Sequence, residues 1–566
     1  MASGEQLELF SEAEVEHSTP PEPNRRLPRD YYVTNFHKII ETVKSRYEDL
    51  LRESEIEFLR IFCEASPDLQ KLFVRLISRK GPWFVVEELE YDEIDSIPNA
   101  ISEGIESELI GELTRDDIGE LLPLLTIREL REIQHHIKLP VKGERKSDLI
   151  DALSSDEVAK SVYSVISSTY QVIGPAHADF LRVLTLLFFG NSRQSLSDFV
   201  IRDLGHVQYE TYSIDPKFRS FNARHVIEQR LLITDMALEV GEAIANRDLD
   251  KIENLLKQIN SQNWDQELTR KLDKLIVQIA YEYERAEQWE EALTLYRTTD
   301  LYPSRERRAR IYEKQEDLDR ALDVALRIEK NPSCEEEKDF SRIFIPRITK
   351  KLGEPVQQIR HHTIPVEELE IEKPATTRIE EAVLSALECE RGYFTQNRLW
   401  KSAFGLTFWD IIFVSIDGAF ENRFQYAPLD LFESEFVAKR ADLIQERLAT
   451  ISDHALWLKS VKEMYEKKQG IANAFVYWDE DLKEPLFNFL ELMKPLWIER
   501  VFDIMLLDLR RYCKGFPDLF VVQSGRPKFI EVKGPGDVIQ PTQRMWLEEF
   551  QKIGIPSSVL KVSWKS

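Results

Sequence analysis

Apolar residues recur at helical spacing along most of this chain. Phe36, Ile39, Ile40, Val43 and Tyr47 fall on one face, the pattern of an amphipathic helix. A second periodic stretch, Leu72 to Ser78, stops at Gly81-Pro82 and sets Arg75, Arg79 and Lys80 beside Trp83 and Phe84. Those cations form either a solvated helix face or an edge that contacts phosphate. The run from Phe180 to Phe189 ends at Gly190-Asn191, a helix-terminating signal. Near the C-terminus the period shortens to that of strands. Leu519-Phe520-Val521-Val522, the turn Gln523-Ser524-Gly525-Arg526-Pro527, and Lys528-Phe529-Ile530-Glu531-Val532-Lys533 predict a β-hairpin closed by Gly534-Pro535-Gly536.

These patterns divide the chain into seven regions. Residues 1–27, polar and holding Thr19-Pro20-Pro21-Glu22-Pro23, read as a flexible tail. Residues 28–110 read as an N-terminal helical DNA-binding domain; the acidic stretch 87–117 is expected to face solvent. Within 111–155, Thr126 and Glu129 have capping-box spacing, Lys142, Arg145 and Lys146 make a basic turn, and Ser147 is placed to cap a second helix. Helix, basic turn, helix resembles the SAP-type DNA-binding module; a small helical pair inside a larger bundle is the plainer alternative. Residues 156–265 are helical. In 266–353, Tyr283-Glu284, Trp289 and Ala292-Leu293 recur as Tyr312-Glu313, Leu318 and Ala321-Leu322. The pattern resembles tetratricopeptide repeats, with an offset below their usual ~34 residues, and reads as packing positions. Acidic, apolar-poor residues 354–374 read as a connector, and 375–566 as a C-terminal α/β domain. The expected fold is thus mainly α and multidomain.

Composition narrows the setting. The chain has 566 residues, 43% of them hydrophobic, enough for several cores. Its 75 Lys+Arg against 100 Asp+Glu give a net charge of −25, which excludes a passively basic nucleic-acid coat. The longest mostly apolar run, Val183 to Phe189, is far short of the ~20 residues of a membrane span. No apolar signal segment opens the sequence. Cys63, Cys334, Cys389 and Cys513 lack metal-site or disulfide-scaffold spacing. A reducing, intracellular compartment is expected.

The hairpin carries the chemistry. Residues i and i+2 of a strand share a face, so Glu531 and Lys533 project together and Val532 opposes them. Asp518, at the start of the first strand, is expected beside that pair. Hard cations such as Mg²⁺ or Mn²⁺ prefer oxygen ligands, and Asp518, Glu531 and the Val532 carbonyl supply them. Lys533 is placed to orient or deprotonate a water, or to neutralise the attacked phosphate. Pro517-Asp518, twelve residues, then Glu531-Val532-Lys533-Gly534-Pro535 matches the PD-(D/E)xK nuclease pattern.

Gly515-Phe516-Pro517-Asp518-Leu519, Glu531-Val532-Lys533-Gly534-Pro535 and Gln543-x-x-Trp546-Leu547 resemble a virus-type replication-repair nuclease (VRR-NUC) domain. Upstream, Phe404 to Phe413, Ala427-Pro428-Leu429-Asp430-Leu431, Lys80-Gly81-Pro82-Trp83-Phe84, Phe188-Phe189-Gly190-Asn191 and Leu204-Gly205-His206 resemble the Fanconi-associated nuclease family, in its short bacterial form. The resemblance implies a metal-dependent, structure-selective nuclease that cuts near 5′ flaps, trims 5′ to 3′ and serves interstrand crosslink repair. Its implied partner is branched or flapped double-stranded DNA. It also implies a metal-binding glutamate where this chain has Gln396. The amide keeps a carbonyl oxygen but loses the charge, so either cleavage is weakened or Glu388 or Glu390 compensates. The alternative is a DNA-junction binding protein with a degenerate site. Arg398, Arg511, Lys514 and Gln543 are further candidates for DNA contact, against a plain surface role. His361-His362 has no ligand pattern around it and reads as inert.

Overall fold

The computed structural model describes residues 30–79, 81–141, 143, 145–191, 194, 199–200, 207–214, 219–355, 363–374, 377–433 and 435–565. Expectations that fall on the tail 1–27, Lys80, Lys142, Leu204-Gly205-His206 and His361-His362 lie outside the described residues. The described chain forms two compact units, one of residues 30–200 with 219–234 and the other of 207–214 with 235–565. The helical region read over 156–265 is therefore divided between them.

In the first unit α1 (Tyr31–Tyr47), α2 (Glu53–Glu64) and α3 (Pro67–Ser78) bury the apolar faces their periodicity marks. Phe36, Phe62 and Phe73 meet at its centre, with ring centroids 4.9 Å apart for Phe36–Phe62 and 5.6 Å for Phe62–Phe73. The acidic stretch 87–117 does not simply face solvent. It contains α4 (Ile97–Glu106), which buries Ala100 and Ile101, and β2 (Ile110–Glu112), which joins β1 (Phe84–Val85) and β3 (Val172–Pro175) in a β1-β3-β2 sheet. Most of its acids are exposed, whereas Glu93 turns inward to Arg75 and Tyr32.

The capping box at Thr126 opens α5 (Ile127–His136). The next helix, α6 (Lys146–Leu153), begins before Ser147. The Asp148 carboxylate takes the Arg145 N–H at 3.1 Å, which leaves Ser147 inside the first turn. Leu130, Ile133, Leu149 and Leu153 share one core with Val162 and Ile166 of α7 (Asp156–Thr169). The pair thus packs within a larger bundle. The apolar run 180–189 lies in α8 (Ala178–Phe189), ended by Gly190 at φ +68°.

In the second unit α9 (Thr269–Arg285), α10 (Trp289–Tyr296), α11 (Ser304–Lys314), α12 (Leu318–Lys330) and α13 (Glu335–Lys351) pack on one another in succession. The recurring positions are internal: Tyr283, Tyr312, Ala292 and Ala321 are all buried. Small alanines let neighbouring helices approach closely. Glu284, 2% exposed, accepts a hydrogen bond from Arg307 Nε at 2.8 Å and one from the Tyr296 hydroxyl at 3.2 Å.

The nuclease-type sheet has five strands in the order β4-β8-β7-β6-β5: β4 (Val366–Ile371), β5 (Arg391–Phe394), β6 (Leu519–Gln523), β7 (Arg526–Lys533) and β8 (Ser557–Trp564). β5, β6 and β7 pair antiparallel, whereas β8 runs parallel to both β7 and β4. A parallel step needs a crossover, here α14 (Pro541–Ile553). The supposed connector 354–374 thus contributes β4, an edge strand. Its alternating Val366-Glu367-Glu368-Leu369-Glu370-Ile371 is too acidic to announce a strand, yet it hydrogen-bonds along β8. Both faces of the hairpin are covered. Phe520, Val522 and Phe529 join an aromatic core with Trp400, Phe404, Phe489, Phe516 and Trp546, while Leu519, Val521, Ile530 and Val532 pack on Leu560 and Val562.

Removing one partner of a buried ion pair strands the other charge, at a cost of about 3–5 kcal/mol. Arg307→Ala is therefore expected to destabilise the helical repeat by that order, with faster amide hydrogen exchange across α9–α11. Wild-type exchange rates there would show that Glu284 does not depend on the guanidinium.

Candidate active site

The site forms where β5, β6 and β7 end together. The Asp518 carbonyl accepts from the backbone N–H groups of Thr395 and Gln396, both at 2.9 Å, and Asp518 Oδ2 accepts from Val532 N–H at 3.0 Å. Strand alternation then places Glu531 and Lys533 on the face continued by Phe529. Lys533 Nζ stands 2.9 Å from Glu531 Oε1, at an angle outside hydrogen-bond geometry. It donates to Gln543 Oε1 at 2.9 Å, and the same oxygen takes the Gln540 N–H at 3.0 Å. A glutamine at the start of α14 thereby aims the lysine.

Glu531 is 0% exposed, and neither of its oxygens has a hydrogen-bond donor. Burial pushes its carboxyl up to about 8, reinforced by the charge of Asp518. Burial also raises Asp518, to about 6, against the lowering effect of the Val532 N–H. Two carboxyls sharing a dry pocket with one ammonium carry a charge that a cation can neutralise. Among the described residues no three His, Cys, Asp or Glu side chains converge as a complete metal cage. The donors present still fit a hard divalent ion that keeps several waters: a buried carboxylate with unused oxygens and a second beside it.

Two described stretches match known family descriptions: residues 30–111 match "FAN1, HTH domain" and residues 455–564 the "VRR-NUC domain". The Fanconi-associated nuclease 1 homolog of Pseudomonas aeruginosa is 29% identical over 94% of this chain and 96% of its own length. Fanconi-associated nuclease 1 of Homo sapiens is 24% identical over 97% of this chain and 65% of its own. The crystal structure of paFAN1 bound to 2nt 5′ flap DNA with gap superposes at a TM-score of 0.81, with 28% identity, covering 96% of this chain and 100% of that one. The chain is thus similar over nearly its whole length to Fanconi-associated nucleases.

The residues of the PD-(D/E)xK pattern read from the sequence, Asp518, Glu531, Val532 and Lys533, lie together at one sheet end, with Gln543 beside them. Gln396 is tied to that end by its backbone, at φ +45°, but its side chain is exposed and lines a groove with Asn397, Arg398 and Tyr477. Glu388 and Glu390 are at the other end of the hairpin. The Glu388 carbonyl accepts from Gln523 Nε2 at 3.1 Å, and the Glu390 carboxylate takes the Gly525 N–H at 3.1 Å. Neither can replace an acid at 396.

The predicted DNA-contacting cations fare unevenly. Arg398 rims the groove, with Nη1 3.3 Å from Asp479 Oδ2. Lys514 is exposed, and its carbonyl takes the Trp546 indole N–H at 2.9 Å. Arg511 instead turns toward Asp339 and Glu336 of α13, bracing the repeat against the nuclease core. Arg75 is held by Glu93, with Nε at 2.8 Å, and stacks on Tyr32; Arg79 lies over the Phe84 ring. These three read in sequence as free cations because their partners are remote or aromatic. Sequence reading missed Glu380, whose charge raises both Asp518 and Glu531. The available signal was an acid pair, Glu380-Glu381, opening the helix that leads into β5.

Both site carboxyls bind protons more readily in the folded than in the unfolded chain, where they titrate near ~4. The folded state therefore holds extra protons from there up to about 8, the value to which Glu531 is raised. Stability of the metal-free protein falls as pH rises through that window. Glu531→Gln is expected to flatten this loss, read as the pH dependence of the thermal midpoint in chelator. An identical pH slope in both proteins would refute the burial argument.

Proposed function

We propose that this chain is a metal-dependent, structure-selective DNA nuclease, a 5′ flap endonuclease and 5′–3′ exonuclease acting in DNA repair, including interstrand crosslink repair. The observation that carries the reading is near full-length similarity to a nuclease crystallised on 5′ flap DNA, joined to an acid–acid–lysine cluster at the hairpin end. Asp518 and Glu531, with the Val532 carbonyl, would hold Mg²⁺ or Mn²⁺. When bound, that ion lowers the pKa of a coordinated water and offsets charge building on the phosphate. Lys533, aimed by Gln543, supplies a fixed ammonium for the attacked phosphate or the water. Lys514, which is exposed, and Arg398, which rims the groove beside Gln396, are the candidate phosphate contacts. Arg511 and Arg75 serve as internal braces, Arg79 stacks on an aromatic ring, and Lys80 is assigned a phosphate contact on sequence alone. The working place is the nucleoid of a bacterial cytoplasm.

A second reading has its own observation. Gln396 brings a neutral, exposed amide to the site's edge, so the chain binds flapped DNA and cleaves it weakly. Flap affinity and cleavage are separable. With Mg²⁺ or Mn²⁺ a 5′-labelled flap is expected to be cut, and Asp518→Ala to abolish cutting while flap affinity is retained. Cutting at the wild-type rate by the variant would overturn the site. Gln396→Glu distinguishes the readings: accelerated cleavage at unchanged affinity identifies a weakened nuclease, and tight binding with no turnover in either protein identifies a binding module.

A further inference from the structure

The helical repeat is rich in arginine, and most of it is neutralised within the fold. Arg305 and Arg307 meet the buried Glu337 and Glu284, while Arg310, Arg320 and Arg327 meet Glu306, Asp317 and Asp323. Two neighbouring arginines break this pattern. Arg297 ends α10, and Arg308 lies midway along α11. Neither forms an ion pair with a carboxylate among the described residues. Tyr312 brings them to one place. Arg297 Nη2 donates to the Tyr312 hydroxyl at 2.9 Å. Arg308 precedes Tyr312 by four residues on the same helix, so their side chains share a face one turn apart. Arg320 Cζ stands 5.9 Å from the centroid of the Tyr312 ring.

We propose that Arg297, Arg308 and the Tyr312 hydroxyl form a phosphate-binding site on the helical repeat, separate from the hairpin end. Arg308 Nε is buried and has no hydrogen-bond partner. A guanidinium keeps its charge at any ordinary pH, and a buried charge without a partner is costly. Burial holds Arg308 below the usual arginine value, and the charges of Arg297 and Arg305 add to that effect. Although the chain carries a net charge of −25, it supplies this pair with no carboxylate. Asp300, in the loop between the two arginines, is exposed and pairs with neither. The missing partner is an anion from outside. A guanidinium fork matches two oxygens of a carboxylate or a phosphate. A planar carboxylate is occupied by one fork, whereas a tetrahedral phosphate can be approached by guanidiniums from two helices at once. The Tyr312 hydroxyl accepts from Arg297 and retains a proton to donate to a phosphate oxygen. That phosphate belongs either to the backbone of a DNA arm or to a free phosphate ester.

The test uses the full chain in chelator, so that cleavage plays no part. Binding of a fluorescent 5′-flapped duplex is followed by anisotropy across a series of NaCl concentrations. In parallel, inorganic phosphate is titrated against the thermal midpoint, with NaCl at matched ionic strength as the reference. Arg308→Gln and, separately, Arg297→Gln are expected to make the fall of log affinity with log salt shallower by about 1. Both are also expected to abolish the stabilisation specific to phosphate. Arg327→Gln, which removes an arginine already paired with Asp323, is expected to leave both readouts at wild-type values. Arg297 is exposed, so its substitution tests the site without disturbing the packing around Arg308. A shallower salt slope assigns the site to DNA backbone phosphate. A wild-type slope with lost phosphate stabilisation assigns it to a free phosphate ester. Wild-type behaviour of both variants in both assays overturns the proposal. An equal loss in Arg327→Gln reduces the effect to bulk charge and overturns it as well.

Discussion

Everything at the working end of this molecule depends on one residue bonded through both its main chain and its side chain. Asp518 receives two backbone N–H groups from the β5 end on its carbonyl and one from β7 on its carboxylate. Three strands are thereby pinned at a single point, and the hairpin register follows. A one-residue slip would turn Glu531 and Lys533 to the opposite face, among the aliphatic residues around Val532. The same carboxylate thus fixes the geometry and takes part in the electrostatics. It is held by a neutral donor, which leaves it free to serve a cation.

Electrostatic strain is concentrated rather than shared. Over 510–566 the chain carries ten Lys+Arg against five Asp+Glu, although the whole chain is acidic at −25. An excess of anions elsewhere repels a polyanion from most of the surface and leaves the site's neighbourhood permissive. Within that basic neighbourhood Glu531 is fully buried and Asp518 half-buried beside it, so water screens this pair poorly. A polyanionic substrate and a divalent cation are each attracted to a different layer of the same place.

The hairpin and its chemistry were legible because every signal was local. Period-two apolar residues, a Ser-Gly turn and an Asp–Glu–Lys set all fall between Pro517 and Gly536. The repeat was legible for the same reason, since Ala292 and Ala321 mark a packing interval that recurs along the chain. What escaped was non-local. β4 is an acidic stretch that becomes a strand only through β8, nearly two hundred residues on. The capping of α6 shifted by two positions because Asp148 reached back to Arg145, outcompeting Ser147. Arg511 found Asp339 and Glu336, and Arg75 found Glu93 and Tyr32. One-dimensional spacing displays a cation but not its partner. Glu380 was passed over for a related reason: its relation to Asp518 exists only once the intervening helices have folded.

Those intervening helices impose an order on assembly. Residues 398–516 separate β5 from β6 and build the aromatic floor on which Phe520 and Phe529 rest. While the ribosome is still making them, β4 and β5 have no sheet to join, because the three strands between them in space come later in the chain. The central strands are therefore made last, and closing the sheet pairs segments very distant in sequence, a slow kind of step. Until it closes, Asp518 and Glu531 are not yet neighbours. A nascent chain carrying most of its helices is consequently unable to cut, and the capacity for hydrolysis appears only with the last part of the fold.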